Sequence, residues 1–308
     1  RVYVDGWLSS AYSVMDYIGE YREPFRWASD DLYHPDMKDY VEGNYSADNQ
    51  LGDEAEARKG ESRLWKYYEG IRKASTFIVN VDRCPELTMD EIADMKGQAR
   101  FLRAYCYWAL IRVYGPVPLI PLEGLDVNLS YEELSLPREH FDNLVDFIDQ
   151  ELAESARSLP TKRTVNNLGR PTRGAALGLR SRVLLYAASP LFNGNTDQAS
   201  VKNKDGKQLF PQTEDNSKWA QARDAYERFM TFATGQGYKL TEVYTNGKLD
   251  PYASCRAAGE FFTTTWEAVD ELIFVKLRDL YDYTYWVCPK FTDFQDTDVT
   301  GGGGYYTT

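Results

Sequence analysis

The pattern of hydrophobic and polar positions along the chain predicts a succession of amphipathic helices. Its strongest part lies between residues 88 and 115, where hydrophobic residues recur at alternating steps of three and four. This stripe consists of Ile92, Met95, Ala99, Leu102, Cys106, Ala109 and Val113, and Phe101, Tyr105, Trp108 and Ile111 line an adjoining face. A helix that is hydrophobic around most of its girth is buried between neighbours. We therefore expect this helix to be the centre of the fold.

Both ends of this helix carry strong sequence signals. Thr88 is a favourable N-cap residue, and Glu91 three positions later completes a capping box. Gly115 and Pro116 end the helix, because glycine suits the position after the last turn and proline cannot continue it. The Gly-Pro-Val-Pro-Leu-Ile-Pro run that ends at Pro121 should be extended, since each proline disfavours a helical predecessor.

Five more helices and two short strands are expected along the chain. The helices cover about residues 4–18, 62–81, 137–159, 172–189 and 217–233, and the strands residues 237–240 and 271–277. Gly174 and Gly178 lie one turn apart and predict close packing against another helix. Ser217 is expected to cap the last of these helices, whose inward stripe is expected to be Trp219, Ala222, Tyr226, Phe229 and Ala233.

The spacing of the helices suggests a repeat architecture. Helix pairs centred near residues 72 and 102, and near 147 and 180, are about 30–33 residues apart, close to the tetratricopeptide period. No Pro/Ser-rich linker divides the 308 residues. We therefore predict a single, mainly α domain of irregular tetratricopeptide-like helix pairs, with long loops and a few short strands.

Composition and charge limit the possible functions. The formal net charge of −12 argues against nucleic acid and against unaided binding to anionic lipid. No hydrophobic run approaches the length of a membrane span. The four cysteines show no metal-binding spacing, and Cys106 is expected to act as a small hydrophobic residue. We expect neither a metal nor a cofactor.

The residues offer little for catalysis. The only histidines are His34, in a loop, and His140, at the start of a helix, and no Ser/His/Asp, Cys/His, P-loop or GxSxG arrangement can be placed. Carboxylates such as Asp142, Asp146, Asp149 and Glu154 are expected on solvated helix faces. For Arg100 and Arg103 on the central helix, ion pairs to neighbouring helices are favoured over ligand binding. We expect no enzyme, although a glycan hydrolase with paired carboxylates stays open as an alternative.

Loop aromatics are the best candidates for ligand contact. The chain holds 23 Tyr, 14 Phe and 7 Trp, and many lie outside the periodic segments. Flat aromatic rings suit the C–H face of a sugar, and Asp, Asn or Gln side chains suit its hydroxyl groups. Packing within the loops is the competing explanation for each residue. The candidate ligand-binding residues form two groups, Trp27, Asp30, Tyr33 and Tyr45 before the second helix, and Tyr281, Tyr283 and Trp286 near the end.

Several blocks of the sequence resemble the SusD/RagB family of outer-membrane nutrient-binding lipoproteins. The similar blocks occur in the family's order: YEGIRKA at 68–74, QARFLRAYCYW at 98–108, YGPVPLIP at 114–121, LPR at 136–138, GRPTRGAALGLRSRVLLYAASPLFN at 169–193 and ELIF at 271–274. The resemblance implies tetratricopeptide-like helix pairs that support a loop-rich face. These blocks belong to the scaffold and do not carry over binding residues.

The resemblance also implies a function and a location. Such proteins capture glycan without catalysis and deliver it to a SusC-like TonB-dependent transporter, and RagB-type members take peptide instead. A lipid anchor outside this chain would hold the protein at the outer membrane, facing outward. Family members are usually longer, so we expect part of the C-terminal family fold to be missing here. A helical-repeat scaffold that binds only protein is the other alternative.

Overall fold

Long helices packed side by side dominate the fold. The computed structural model describes residues 1–17, 63–126, 128–259 and 270–274. Its helices are α1 (Val2–Tyr12), α2 (Arg63–Asn80), α3 (Met89–Tyr114), α4 (Tyr131–Leu134), α5 (Phe141–Ser158), α6 (Arg173–Ala188), α7 (Ser217–Gly235) and α8 (Pro251–Gly259). Two-residue strands β1 (Tyr244–Thr245) and β2 (Lys248–Leu249) pair antiparallel, and 3-10 turns cover Ser13–Tyr17, Val81–Arg83, Val165–Asn167 and Thr196–Gln198. The mainly α prediction is confirmed.

Helix α3 is the central helix that the sequence predicts. The Thr88 Oγ1 accepts a hydrogen bond from the Glu91 amide at 3.2 Å, and a Glu91 carboxylate oxygen accepts one from the Thr88 amide at 2.9 Å. At the other end, the Gly115 amide donates to the Ile111 carbonyl, and Gly115 has a φ of 64°. Ala99, Leu102, Cys106 and Ala109 of its stripe have no exposed surface. Local capping and a buried stripe therefore agree in defining this helix.

Helices α3, α5, α6 and α7 form a stack in which each helix runs antiparallel to the next. Gly97 near the start of α3 lies against Ser158 at the end of α5, and Tyr107 farther along contacts Phe147, with ring centroids 5.2 Å apart. In the same way, the Arg173 side chain at the start of α6 donates to the Ala156 carbonyl late in α5. Antiparallel helices that each pack against the next are typical of repeat stacks.

Two glycines allow α6 and α7 to approach closely. A Cβ atom on Gly174 would lie 3.1 Å from the Phe232 ring, and one on Gly178 would lie 3.2 Å from the Phe229 ring. These distances are shorter than ordinary side-chain contacts, so any larger residue would push the helices apart. The predicted close packing at this glycine pair is confirmed.

An aromatic cluster attaches the segment after α6 to the stack. The rings of Phe141 and Phe192 are stacked with centroids 4.3 Å apart, and Tyr186 lies 4.7 Å from Phe192 and 4.9 Å from Trp108. Phe210 completes the cluster at 5.6 Å from Phe141. Aromatic pairs at such distances contribute beyond their buried area. The long polar segment between α6 and α7 is thus anchored at Phe192 and again at Phe210.

The starts of two helices differ from the sequence-based expectation. Helix α5 begins at Phe141 and not near Pro137, because His140 is its N-cap residue and its Nδ1 accepts a hydrogen bond from the Asp142 amide. In α7, Ser217 is the first helical residue and not the cap. The Asp215 carboxylate instead accepts a hydrogen bond from the Ser217 amide at 2.8 Å.

The expected inward face of α7 is partly wrong. Trp219 and Tyr226 are 42% and 53% exposed. The reason is that α6 presents glycines to α7 and accepts Phe229 and Phe232 there, while small residues fill the rest of the contact. The buried residues of α7 are Ala222, Ala225 and Ala233.

Both predicted strands are also wrong where the structure describes them. Residues 237–240 and 271–274 contain no strand. Gly237 and Tyr238 instead close the end of α7, where the Tyr238 amide donates to the Ala233 carbonyl and Gly237 has a φ of 84°. The strands that form, β1 and β2, flank a turn at Asn246 and Gly247 whose φ values are both positive. This geometry is that of a two-residue hairpin turn.

The chain divides into two compact units. One comprises Arg1–Ala11 and Gly70–Lys276 and contains the helix stack; the other comprises Tyr12–Glu69 and Leu277–Thr308. In the first unit, the Trp7 ring of α1 packs edge-on against Phe77 of α2 at 5.1 Å. In the second, the structure describes only the turn after α1 and the first residues of α2. The organisation of residues 1–308 as a single domain stays a prediction.

The three cysteines in the described part of the chain are free and differ in accessibility. Cys106 is buried, Cys84 is half-buried and Cys255 is exposed, and burial raises the pKa of the Cys106 thiol. Because the thiolate is the reactive form, we expect iodoacetamide to modify Cys255 readily and Cys106 only after unfolding. Peptide mapping by mass spectrometry, with a denatured sample as control, measures both sites. Modification of native Cys106 would show that α3 is not enclosed.

Candidate functional site

The seven residues predicted to contact ligand lie outside the described residues. They are Trp27, Asp30, Tyr33, Tyr45, Tyr281, Tyr283 and Trp286, and His34 lies outside as well. Their role in binding stays a prediction. The described residues show what flanks the first group: the 3-10 turn after α1 ends at Tyr17, and α2 begins at Arg63.

Trp65 is exposed and is the next aromatic residue in the sequence after Tyr45, the last member of the first predicted group. It lies in the first turn of α2, and 72% of its surface is exposed, whereas Tyr67 two positions later is 1% exposed. A large ring at the start of a helix, held away from the core, offers a flat surface to a ligand. The hydrophobic pattern of α2 does not single out Trp65, because Tyr67 belongs to the same run of residues and is buried.

The paired arginines of α3 belong to the scaffold. Arg100 Nη1 lies 2.6 Å from Glu151 Oε1 on α5, and Arg103 Nη1 lies 3.6 Å from Glu151 Oε2. The Arg103 guanidinium also lies 4.7 Å from the centre of the Phe147 ring, a cation–π distance. Arg103 is 3% exposed and Glu151 8% exposed. The expectation of interhelical ion pairs is therefore confirmed for both arginines.

The extended segment after α3 is fixed by the same helix. At Ile120, the amide donates to the Tyr107 hydroxyl at 2.8 Å, and the carbonyl accepts from Arg103 Nη2 at 2.8 Å. Burial raises the pKa of Tyr107 to about 12. Tyr107 therefore stays protonated at neutral pH, and its hydroxyl oxygen is occupied by Ile120.

A second polar network supports the turn that leads into α6. The Arg163 guanidinium forms two hydrogen bonds to the Asp94 carboxylate, at 2.8 and 2.7 Å, and also donates to the Pro171 carbonyl. Arg170 donates to the Gln98 side chain at 2.9 Å. Bidentate pairs of this kind fix geometry as well as adding stability. They join the turn before α6 to the start of α3.

Two of the α5 carboxylates connect helices. Asp149 forms an ion pair with Arg180 of α6, and the second bond of this pair is 2.9 Å long. Asp142 lies 2.7 Å from Lys218 of α7. Between them lies Asp146, whose pKa is raised by desolvation of its carboxyl group and by the charges of Asp142 and Asp149. The expectation of freely solvated carboxylates is therefore wrong for Asp142 and Asp149, which join α5 to its neighbours.

The described residues contain neither a metal-binding cluster nor a membrane-spanning helix. Within the described residues, no group of three or more His, Cys, Asp or Glu side chains is placed to hold a metal ion. Among the helices described above, none combines the length and hydrophobicity needed to cross a membrane.

The family follows from the match to a family model. The SusD-like model, described as "Starch-binding associating with outer membrane", matches residues 25–185, which is just over half of the chain. The chain belongs to the SusD-like family. The matched range includes α2, α3, α4, α5 and most of α6, so three of the four helices of the antiparallel stack lie wholly or mostly within it.

Individual relatives agree with this assignment. A SusD-like protein of Formosa agariphila is 24% identical over 166 residues, which cover 50% of this chain and 31% of the relative. The structure of a SusD-like protein from Bacteroides fragilis aligns with a TM-score of 0.67 and 21% identity over 98% of this chain and 49% of that one. A laminarin-binding SusD-like protein aligns with a TM-score of 0.51 and 18% identity over 68% and 46%.

These structural similarities show the same fold. The chain spans less than half the length of each of these three relatives.

Proposed function

We propose that this SusD-like protein binds a glycan at the cell surface without catalysis and delivers it to a SusC-like TonB-dependent transporter. The observation that carries the proposal is the family match over residues 25–185, whose description names starch binding and association with the outer membrane. The fold shared with a laminarin-binding SusD-like protein supports the same class of ligand. A lipid anchor outside this chain is part of the proposal.

Aromatic side chains provide the proposed binding surface. It combines the two predicted groups, Trp27, Asp30, Tyr33 and Tyr45 with Tyr281, Tyr283 and Trp286, with the exposed ring of Trp65. Stacking on a ring removes the hydrophobic C–H face of a sugar from water, and the Asp30 carboxylate accepts hydrogen bonds from hydroxyl groups. Tryptophan and tyrosine offer this surface at little cost in side-chain entropy.

The scaffold supports binding through rigidity. The buried Arg103–Glu151 pair and the bidentate Asp94–Arg163 pair are each made between segments far apart in sequence. Binding residues are commonly carried on loops that a rigid framework positions. In this protein the charged side chains of α3 already pair with other residues of the scaffold. We therefore assign ligand contact to the loops.

Calorimetry of the full-length protein against a panel of polysaccharides, oligosaccharides and peptides tests the proposal. We expect heat of binding with at least one glycan, no binding of peptides and no change in glycan length on prolonged incubation. Peptide binding without glycan binding would favour a RagB-type peptide carrier. Turnover of the glycan would contradict the non-catalytic assignment. Co-purification with a SusC-like transporter from outer membranes tests delivery separately.

Replacing Trp65 with alanine is expected to weaken binding of a short oligosaccharide about tenfold or more. Loss of one stacking ring removes roughly 100 Å² of buried hydrophobic area, and each 1.4 kcal/mol corresponds to a factor of ten in affinity. Calorimetric titration measures the change. The control is Tyr131→Ala, which removes an exposed ring on α4. Equal affinity of Trp65→Ala and wild type would remove Trp65 from the proposed surface.

A further inference from the structure

Asparagine followed directly by glycine occurs at two places in the chain, Asn193–Gly194 and Asn246–Gly247. This dipeptide can modify itself, because glycine has no side chain to shield its main-chain nitrogen from the preceding side-chain amide. The nitrogen attacks the carbonyl carbon of the asparagine side chain, a five-membered ring closes and ammonia leaves. The fold holds the two copies of the dipeptide in opposite ways.

The side chain of Asn193 is fixed by hydrogen bonds. Asn193 is 5% exposed. Its side-chain nitrogen donates to the Asp215 carbonyl at 2.9 Å, and its side-chain oxygen accepts from the Asp215 amide at 2.9 Å. The main chain beside it is crowded as well, since a Cβ atom on Gly194 would overlap the main chain at Glu214. For the ring to close, these hydrogen bonds must break and the side chain must rotate.

Asn246 has none of these restraints. Asn246 and Gly247 lie at the exposed tip of the hairpin formed by β1 and β2, and no atom lies within 4 Å of the position of a Cβ on Gly247. Among the described residues, none forms a hydrogen bond with the Asn246 side chain. In a two-residue turn the closing hydrogen bond joins the flanking residues, here Thr245 and Lys248, and does not involve the glycine nitrogen. Both reacting groups are therefore available.

We propose that Asn246 is a site of spontaneous deamidation and isomerisation in the folded protein, whereas Asn193 is protected. In the first step the Gly247 nitrogen loses its proton and bonds to the Asn246 Cγ, the bond from Cγ to the side-chain nitrogen breaks, and ammonia leaves with the proton. In the second step water opens the resulting succinimide ring. Attack of water at Cγ gives aspartate, and attack at the main-chain carbonyl carbon gives isoaspartate. Water is the only co-reactant.

The two products affect the hairpin differently. Aspartate leaves the main chain unchanged and tolerates the left-handed conformation of this position. Isoaspartate routes the main chain through the side-chain methylene, so the turn becomes one carbon longer. Because a two-residue turn sets the pairing of Thr245 with Lys248, isoaspartate disrupts the pairing of β1 with β2. The Asp250 amide, which donates to the Val243 carbonyl at 2.8 Å beside the hairpin, reports this disruption.

The rate of modification depends on pH through the attacking nitrogen. The Gly247 nitrogen is a nucleophile only after it loses its proton, so a higher pH raises the rate of ring closure. This inference is independent of glycan binding, because it uses only the main chain and the side chain at the tip of the hairpin.

Peptide mapping of the full-length folded protein, incubated at neutral and at mildly alkaline pH, tests the proposal. Trypsin releases the two sites in separate peptides, 183–202 and 240–248, and mass spectrometry with fragmentation that distinguishes isoaspartate measures both products. We expect modification at Asn246 to be at least about tenfold faster than at Asn193, because the hydrogen bonds of Asn193 oppose ring closure. Both sites are expected to react at similar rates in urea. A sample digested without incubation corrects for modification during digestion.

Two variants separate the steps of the reaction. Asn246→Gln is the matched control, since its side chain is one carbon longer and closes a six-membered ring less readily, and it is expected to stay unmodified. Hydrogen exchange at the Asp250 amide is expected to be faster in aged wild type than in fresh protein. In Asn246→Asp, which keeps a normal main chain, it is expected to match fresh protein.

The comparison of folded and denatured samples decides the outcome. Equal rates at Asn246 and Asn193 in the folded protein overturn the proposal, because the fold would not select between the two sites. So does an Asn246 that reacts only in urea, since the folded full-length protein would then restrain the tip of the hairpin.

Discussion

Replacing Glu151 with alanine is expected to lower the free energy of unfolding by about 3–5 kcal/mol, the usual cost of leaving a buried charge unpaired. Glu151 interacts with both Arg100 and Arg103. Arg100 retains access to water, but the Arg103 side chain is only 3% exposed. After the substitution, no other carboxylate of the described residues would pair with its charge. Urea denaturation followed by circular dichroism measures the loss.

A control on the same helix separates burial from charge. Glu154→Ala removes a 47% exposed carboxylate whose partner Arg157 is 76% exposed, and is expected to cost less than about 0.5 kcal/mol. Adding Arg103→Met to Glu151→Ala removes the unpaired charge and is expected to recover part of the stability. If Glu151→Ala and Glu154→Ala cost the same, the buried network does not stabilise the stack.

Gly194→Ala is the second substitution with a large expected effect, about 3 kcal/mol or more of destabilisation. Gly194 has a φ of 78°, and a Cβ atom there would lie 2.4 Å from the Glu214 amide nitrogen. The left-handed conformation alone costs about 1 kcal/mol for alanine, and backbone on the facing side cannot rotate away. The neighbouring Asn193 side chain donates to the Asp215 carbonyl and accepts from its amide, so both chain segments are held in place.

Gly206→Ala is the matched control for this effect. Gly206 has nearly the same φ, 84°, but no atom lies within 4 Å of the position of a Cβ. Gly206→Ala is therefore expected to lower the free energy of unfolding only by the cost of the left-handed conformation, about 1 kcal/mol. The difference between the two variants in thermal or urea unfolding isolates the steric contribution at Gly194. Equal costs would mean that the segment at Glu214 can move away.

Features encoded locally were predictable from the sequence. The limits of α3 follow from Thr88, Glu91 and Gly115, because capping involves residues three or four positions apart. The glycine pair of α6 also predicted close packing from spacing alone, as Gly174 and Gly178 show. The capping groups are near one another in the chain, and the glycine signal lies within a single helix although its partners Phe229 and Phe232 belong to α7.

Features that depend on neighbouring elements were harder to predict. In α7, an alanine face and an aromatic face compete, and the glycines of α6 decide which of them is buried. An Asn-Gly hairpin signal is present at Asn246 and Gly247, but β1 and β2 have only two residues each and are too short to show an alternating pattern. The predicted ligand-binding residues rest on chemical type alone. Residue type does not specify which side chains come together in space.

The way α3 holds Ile120 bears on how sequences of this family can diverge. Arg103 and Tyr107 bind the main chain at position 120 and not its side chain. Substitutions at this position therefore leave both hydrogen bonds available, with proline as the exception because it lacks the amide hydrogen. We therefore expect an exchange at position 120 to leave this segment in place, whereas loss of Arg103 or Tyr107 removes one of its two anchors. A search for distant relatives would do better to follow these two helix residues than the segment that they hold.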